Sequence, residues 1–153
     1  MNIKVSHYLK ELDDTFEILN HQCDDEVKSV ISNALCIRLS GLLEVALKSR
    51  ISDYSEKKSP KEINRFLTQK FKDITNLKSS KLCDVVGQFS ASWKEKFEDA
   101  FDNNSQMKSS LDSLITVRNN YAHGQSTNIT EKSLKQYYID VKSAIALFDK
   151  IIR

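Results

Sequence analysis

The chain has 153 residues, the length of one domain, and it can bury roughly 70% of its unfolded surface in a core of its own. Lys and Arg number 23 against 21 Asp and Glu, so the formal net charge is only +2. This balance does not argue for a general nucleic-acid binder, and any RNA contact would have to come from a local patch. Three glycines, one proline and 29% charged residues predict a mainly helical protein.

The first third of the chain predicts two amphipathic helices. The first covers about residues 3–20, with apolar side chains spaced alternately by four and three: Val5, Leu9, Leu12, Phe16 and Leu19. After a turn, Asp24 or Asp25 can cap the second helix. That helix is the longest and most apolar, so it should lie centrally and touch several neighbours. Arg38 and Glu44 interrupt its apolar run.

The middle of the chain predicts shorter helices. Ser59 can cap a third helix, Pro60 fits its first position, and Glu62 completes a capping box. Its apolar stripe is Ile63, Phe66, Leu67, Phe71 and Ile74. Residues 76–80 break it, and two short helices follow, one ending near Gly87 and one at residues 102–105. The aromatic side chains of this region are predicted to be core and not a base-stacking platform: Trp93, Phe97 and Phe101.

A helix from about Gln106 to Ala122 has an unusual apolar row. Its members are spaced by three and four: Met107, Leu111, Leu114 and Ile115. Arg118 continues the same row, so a cation stands where a core residue is expected. Gly124 follows at the position where helices end in a left-handed turn. Residues 126–128 are predicted to be loop, and Thr130 can cap a final helix.

Taken together, these elements predict an all-α fold. The architecture is an antiparallel helical bundle of four to five main helices, with short extra helices before the helix that carries Arg118. Residues 1–153 are predicted to form a single domain.

Cysteine usage and hydropathy limit the compartment. Cys23, Cys36 and Cys83 are far apart and odd in number, and no pair has metal-ligand spacing. Reduced thiols in a cytoplasmic protein are the simplest interpretation. The residues after Met1 have no apolar signal core, and no apolar run approaches the ~20 residues that span a bilayer. The sequence predicts no cofactor, no metal site and no membrane segment.

Arg118 and His123 are the residues that carry chemistry. Arg118 lies about one turn before the predicted helix end and His123 at the end itself, with a rise of about 1.5 Å per residue between them. An imidazole can accept or donate a proton near neutrality. A guanidinium stays charged and presents a planar fork that matches phosphate oxygens. The alternative is that both cations only favour the helix dipole and the last carbonyls.

The stretch from Arg118 to Gly124 reads Arg-Asn-Asn-Tyr-Ala-His-Gly and resembles the signature of the HEPN superfamily (higher eukaryotes and prokaryotes, nucleotide-binding). That signature is an Arg, a polar residue, and a His after four to six intervening residues. Here the polar residue is Asn119, and four residues separate Arg118 from His123. The order of residues in this stretch is most similar to that of the RiboL-PSP-type and related prokaryotic branches of the HEPN superfamily. The resemblance implies a HEPN-like bundle with a composite catalytic site, Arg118 and His123 of both chains, across a homodimer.

The resemblance also implies an activity and partners. It implies a metal-independent endoribonuclease that acts on RNA as a toxin or phage-defence effector, with an antitoxin or defence-system protein as a further partner. Two alternatives stay open: a non-catalytic HEPN module that dimerises and binds RNA, a nucleotide or a protein, and a helical interaction protein whose motif is coincidental. One departure is Gln125, which stands where HEPN toxins that work with a nucleotidyltransferase antitoxin have a Tyr, two residues after the His. This disfavours modification by such a partner.

Four further residues are predicted to support the site. Asn119 could form a hydrogen bond with His123 or with a phosphate oxygen. The alternative is that Asn119 and Asn120, as poor helix formers, only help the helix to end. Tyr121 could stack on an RNA base or pack against other side chains of the protein. The resemblance places a Glu at about the position of Glu44, which could serve the active site or pair with a nearby cation.

Overall fold

The computed structural model describes residues 2–22, 24–125 and 127–153. The expectations for Met1, for the Cys23 thiol and for loop structure at Ser126 lie outside the described residues. Within these residues seven α-helices follow one another: α1 (Ile3–His21), α2 (Asp25–Lys58), α3 (Lys61–Lys70), α4 (Ser79–Gly87), α5 (Ala91–Asn103), α6 (Ser105–Ala122) and α7 (Glu131–Ile151). No strand occurs in the described part of the chain, and the all-α prediction is confirmed.

The second helix is central, as its apolar width predicted. α2 packs against α1, α6 and α7, and its buried face contributes to one continuous core. On length and composition alone α2 could cross a membrane, contrary to the expectation that no apolar run reaches that length. In the protein, 56% of its most apolar window is buried. Packing in a helical core therefore accounts for the apolar character of α2.

The N-caps predicted for the long helices α2 and α7 are both present in the structure. The Asp24 carboxylate accepts a 2.9 Å hydrogen bond from the backbone N–H of Val27, and the Thr130 hydroxyl accepts one of 3.1 Å from Ser133. These bonds satisfy N–H groups that the first turn of a helix cannot pair internally. The aromatic residues of α5 are core, as predicted: Trp93, Phe97 and Phe101.

The start and the burial of the third helix differ from the prediction. α2 continues to Lys58, Ser59 is its extended C-cap, and Pro60 is the N-cap of α3 without a side-chain capping bond. A residue before proline is pushed towards extended backbone, so α2 ends at Ser59, and the Ser59 hydroxyl makes no capping bond to the first turn of α3. The predicted capping box is therefore wrong. The stripe of α3 is also largely open to solvent, with Ile63 49% and Phe66 59% exposed, because α3 packs mainly against α2.

The segment between α3 and α4 is tied closely to the bundle. A 3-10 turn, Phe71–Asp73, ends α3, and the side chains of Ile74 and Leu77 enter the core. Ser79, the first residue of α4, donates two hydrogen bonds to the Asp112 carboxylate on α6, of 2.7 Å from its N–H and 3.0 Å from its hydroxyl. This segment brings residue 76 against α6 at the level of Arg118.

Candidate active site

The helix that carries the motif ends at the predicted place. α6 ends at Ala122, His123 is its C-cap, and Gly124 has a φ of +74°. Gly124 N–H bonds the Tyr121 carbonyl at 3.0 Å, and Gln125 N–H bonds the Asn120 carbonyl at 2.9 Å. This pair of bonds is a Schellman motif, which seals the last carbonyls of a helix and needs a residue that tolerates positive φ. The position of His123 is therefore set by the helix terminus.

Arg118 is half-buried at the end of the apolar row and is held by two amides. Its Nη1 donates 3.0 Å hydrogen bonds to Asn76 Oδ1 and to Asn119 Oδ1. Nε and Nη2 have no hydrogen-bond partner among the described residues, and no described carboxylate forms an ion pair with Arg118. The guanidinium is thus fixed by neutral acceptors. It keeps its full charge, together with a free edge for a planar anion.

Glu44 reaches the same cluster by an indirect route. Its Oε1 accepts a 2.8 Å hydrogen bond from the backbone N–H of Asn76. The ion pairs formed by the described residues do not include Glu44. Of the two interpretations left open by the sequence, pairing with a cation is not what the structure shows. Glu44 instead accepts a hydrogen bond from the residue whose side chain bonds Arg118.

His123 is exposed, and its imidazole makes no hydrogen bond to any described residue. Arg118 and His123 do not contact one another by a hydrogen bond, and the Asn119 amide bonds Arg118 instead of His123. The other histidines lie on α1, each an i,i+4 neighbour of a glutamate: His7 beside Glu11, and His21 beside Glu17. One chain therefore supplies a single imidazole to this region.

The remaining predicted residues lie at the rim of the site. Asn120 contributes its carbonyl to the helix end. Tyr121 is half-buried and borders a surface depression shared with the first half of α2 and the loop after α6. Across that depression, the Thr127 hydroxyl donates to the Asn33 carboxamide oxygen. This bond fastens the loop that follows His123 to α2.

The sequence interpretation missed Asn76, Asn33 and Thr127. Asn76 lies in the segment identified only as a break, and its φ is +54°. Asn is the residue other than Gly that most readily adopts this conformation, so an Asn at a helix break was a usable signal for a turn. Nothing in the sequence could indicate that its partner is Arg118, 42 residues further along the chain.

Metal chemistry has no obvious ligands here. Groups of three or more His, Cys, Asp or Glu side chains placed to hold a metal ion are absent from the described residues.

Comparison with known families assigns the chain to a protein family. The family model described as RiboL-PSP-HEPN matches residues 3–153. The chain belongs to the RiboL-PSP-HEPN family. Searches of curated proteins and of solved structures gave no significant match. Membership of this HEPN family indicates a ribonuclease-like or RNA-binding function, and the resemblance seen at Arg118–Gly124 is confirmed at the level of the whole chain.

Proposed function

We propose that this HEPN protein is a metal-independent endoribonuclease that cleaves RNA at a composite site formed by Arg118 and His123 of two chains. The observation that carries the proposal is the state of Arg118. A half-buried guanidinium that is held only by amide oxygens is ready to bind an anion without first breaking an ion pair. The His123 imidazole stands free, one turn further along the chain.

The reaction needs one base, one acid and a stabilised phosphorane. One His123 takes the proton from the ribose 2′-hydroxyl while the 2′-oxygen forms a bond to phosphorus. The bond from phosphorus to the 5′-oxygen then breaks, and the second His123 gives that oxygen its proton. Arg118 stabilises the charge that accumulates on the equatorial oxygens. The products are a 2′,3′-cyclic phosphate and a free 5′-hydroxyl.

A homodimer supplies the second imidazole. The side chains of Val27, Val30 and Ile37 on α2 are 41%, 60% and 37% exposed. Val30 borders the same depression as Tyr121, beside the end of the motif helix. Burial of this apolar strip against a second copy would bring two motif ends together, since a two-fold interface pairs the same surface on both chains. A stable interface of this kind needs about 1,200 Å² or more.

The biological role that fits is a cytoplasmic toxin or phage-defence effector, restrained by an antitoxin or another defence protein. Uncontrolled RNA cleavage is toxic, so overexpression should arrest growth and His123→Ala should relieve the arrest. Growth arrest by both the wild type and His123→Ala would contradict this role for the proposed site.

The central test is cleavage of RNA in EDTA by purified variants. Loss of general acid–base assistance typically lowers a rate by about 100- to 10,000-fold, and His123→Ala should fall in that range. Arg118→Lys keeps the charge but loses the fork, and it should fall by about 100- to 1,000-fold. Matched controls are His21→Ala and Arg65→Lys, both at exposed positions on other helices, α1 and α3, and both should cleave like wild type.

The outcomes are separated by melting curves. If Arg118→Lys and His123→Ala melt and cleave like wild type, the motif is not the active site. If the wild type binds RNA without cleaving it, the chain is a non-catalytic binding module. If both variants unfold, the two cations are structural.

A mixing experiment tests the composite site. Wild-type and His123→Ala chains are co-refolded in equal amounts, so that about a quarter of the dimers contain two wild-type chains. If both imidazoles are needed, the rate should drop to about a quarter of the wild-type rate at equal total protein. A rate of about one half would mean that each chain cleaves alone. A monomer in light scattering at micromolar concentration would contradict the dimer itself.

A further inference from the structure

Asn76 joins three elements of the fold at one point. Its backbone N–H bonds Glu44 of α2, its side-chain oxygen accepts from Arg118 of α6, and it lies in the segment between α3 and α4. Its φ of +54° is the only positive φ of a non-glycine residue in the described chain. A left-handed backbone is unfavourable for a non-glycine residue, least so for Asn and Asp, and it persists only where surrounding contacts fix it.

The rest of the segment is anchored independently of Asn76. Ile74 and Leu77 are buried on either side, and Ser79 is bound to Asp112. The fold of the segment therefore does not depend on the Asn76 carboxamide. The one contact that this carboxamide oxygen makes in the described chain is with Arg118.

We infer that Asn76 is a positioning residue for Arg118: Glu44 fixes the Asn76 backbone, and the Asn76 carboxamide holds the guanidinium without neutralising it. This rests on the proposed function, in which Arg118 binds the RNA phosphate. A carboxylate in place of this amide would hold Arg118 at least as firmly. It would also compete with phosphate for the same charge, because charge-assisted bonds are about twice as strong as neutral ones.

Two substitutions at position 76 distinguish holding the Arg118 guanidinium in place from neutralising its charge. Gly accepts the left-handed backbone and keeps the N–H that bonds Glu44, but it removes the oxygen that bonds Arg118. Asp also accepts this backbone and keeps the shape of Asn, but it places a negative charge on Arg118. A residue with a purely structural role would tolerate Asp and Gly alike, or fail to fold with both.

The experiment measures binding, so that it does not depend on catalysis. The probe is a short mixed-sequence 2′-O-methyl RNA, which has no 2′-hydroxyl to attack phosphorus, and its Kd is followed by fluorescence anisotropy over a range of salt concentrations. Arg118→Ala is the reference and should lower the salt dependence by about one phosphate contact. Asn76→Asp should weaken binding by about 10- to 100-fold and lower the salt dependence equally, because its carboxylate occupies Arg118. Asn76→Gly should weaken binding by only a few-fold and keep the wild-type salt dependence.

Glu44 provides a second arm. Glu44→Gln keeps an oxygen that can accept the Asn76 N–H and should bind the probe like wild type. Glu44→Ala removes that acceptor and should resemble Asn76→Gly. The control is Asn104→Asp, an Asn at the start of α6 whose side chain caps the helix through Met107; it should leave both the affinity and the salt dependence unchanged.

The results that overturn the inference are distinct from those that overturn the proposed function. If Asn76→Asp and Asn76→Gly bind like wild type with the same salt dependence, Asn76 does not position Arg118. If both variants lose binding and melting temperature together, its role is structural. If the wild type and Arg118→Ala bind the probe equally, Arg118 does not contact RNA phosphate and the proposed function fails. If the wild type binds but never cleaves ordinary RNA, the catalytic proposal fails while the Asn76 inference is still decided by affinity.

Discussion

Replacement of Thr127 by valine tests how firmly the loop after the motif helix is held. The Thr127 hydroxyl donates to the carboxamide oxygen of Asn33 on α2. Asn33 is only 5% exposed, and its Nδ2 donates a 2.9 Å bond to the Ser29 carbonyl. Valine has the shape of threonine but no donor, so the buried oxygen of Asn33 would lose its partner.

The expected magnitude follows from this burial. A buried polar group left without a partner costs about 1–3 kcal/mol. For a domain of this size each kcal/mol corresponds to about 2–4 °C, so Thr127→Val should lower the melting temperature by roughly 2–12 °C. If the chain is the proposed endoribonuclease, its rate of RNA cleavage should fall as well, because the loop begins directly after His123.

The assay is thermal unfolding by circular dichroism, with cleavage measured beside it. Thr68→Val is the matched control: its hydroxyl bonds the Asn64 carbonyl at 2.9 Å on the exposed surface of α3, and its stability should change by no more than about 0.5 kcal/mol. The double variant Asn33→Leu with Thr127→Val removes both partners and should be less destabilised than the sum of the single variants. If Thr127→Val melts like Thr68→Val, the hydrogen bond does not hold the loop.

Three further predictions concern the buried thiols, the end of the motif helix and the pH profile. Burial raises the pKa of Cys36 to about 12 and of Cys83 to about 11. Because iodoacetamide reacts with the thiolate, both thiols should resist it in a Cys23→Ser background until urea unfolds the protein. Because the folded state holds these two protons more tightly, the free energy of unfolding should fall as pH rises above about 9, where unfolded thiols ionise, and a constant stability there would contradict it. Gly124→Ala meets no atom within 4 Å but must adopt a φ of +74°, and urea unfolding should show a loss of about 1–2 kcal/mol. In the proposed mechanism one His123 acts as base and the other as acid, so cleavage should have a bell-shaped pH profile, and a rate that only rises with pH would remove the two-histidine mechanism.

Much of the fold could be predicted from apolar spacing and capping. α1, α6 and α7 each have one apolar face and α2 a wider one, and periodicity of this kind depends only on local geometry. The ends marked by Asp24, Thr130 and Gly124 were also predictable, because side-chain capping and positive φ are local properties. These are the elements that place Arg118 at the edge of the core.

The errors arose where a local pattern had two solutions. Ser59-Pro60 suggested a capped helix start, but the restriction that Pro60 imposes on Ser59 made that residue the end of α2. The stripe of Ile63 and Phe66 suggested a core face, but whether an apolar face is covered depends on neighbours that the spacing cannot reveal. The hydropathy of α2 also has two solutions, a membrane span and a core helix, and in the structure α2 packs against α1, α6 and α7 in the core.

The candidate site likewise contains residues that local sequence could predict and residues that only packing brings together. Arg118 and His123 could be identified because they share one short stretch and a recognisable chemistry. Asn76 and Glu44 could not be assigned roles, because 32 residues separate Glu44 from Asn76 and 42 separate Asn76 from Arg118. Only the packing of the α3–α4 segment against α2 and α6 creates their hydrogen bonds. In the proposed site, the residues that perform chemistry are local in sequence, and so is Asn119, whereas Asn76 and Glu44 lie far from Arg118 along the chain.

In the proposed mechanism, Arg118 and His123 are prepared for catalysis in different ways. Arg118 is oriented within its own chain by Asn76 and Asn119, so its placement does not require a second copy. His123 has no side-chain partner in the described chain and stands exposed at a helix end. In the proposed dimer, formation of the interface must therefore fix the imidazole but not the guanidinium. An interface change such as Val30→Asp should then abolish cleavage while RNA binding through Arg118 persists in the separated chains, and loss of both activities in a folded monomer would contradict this order of assembly.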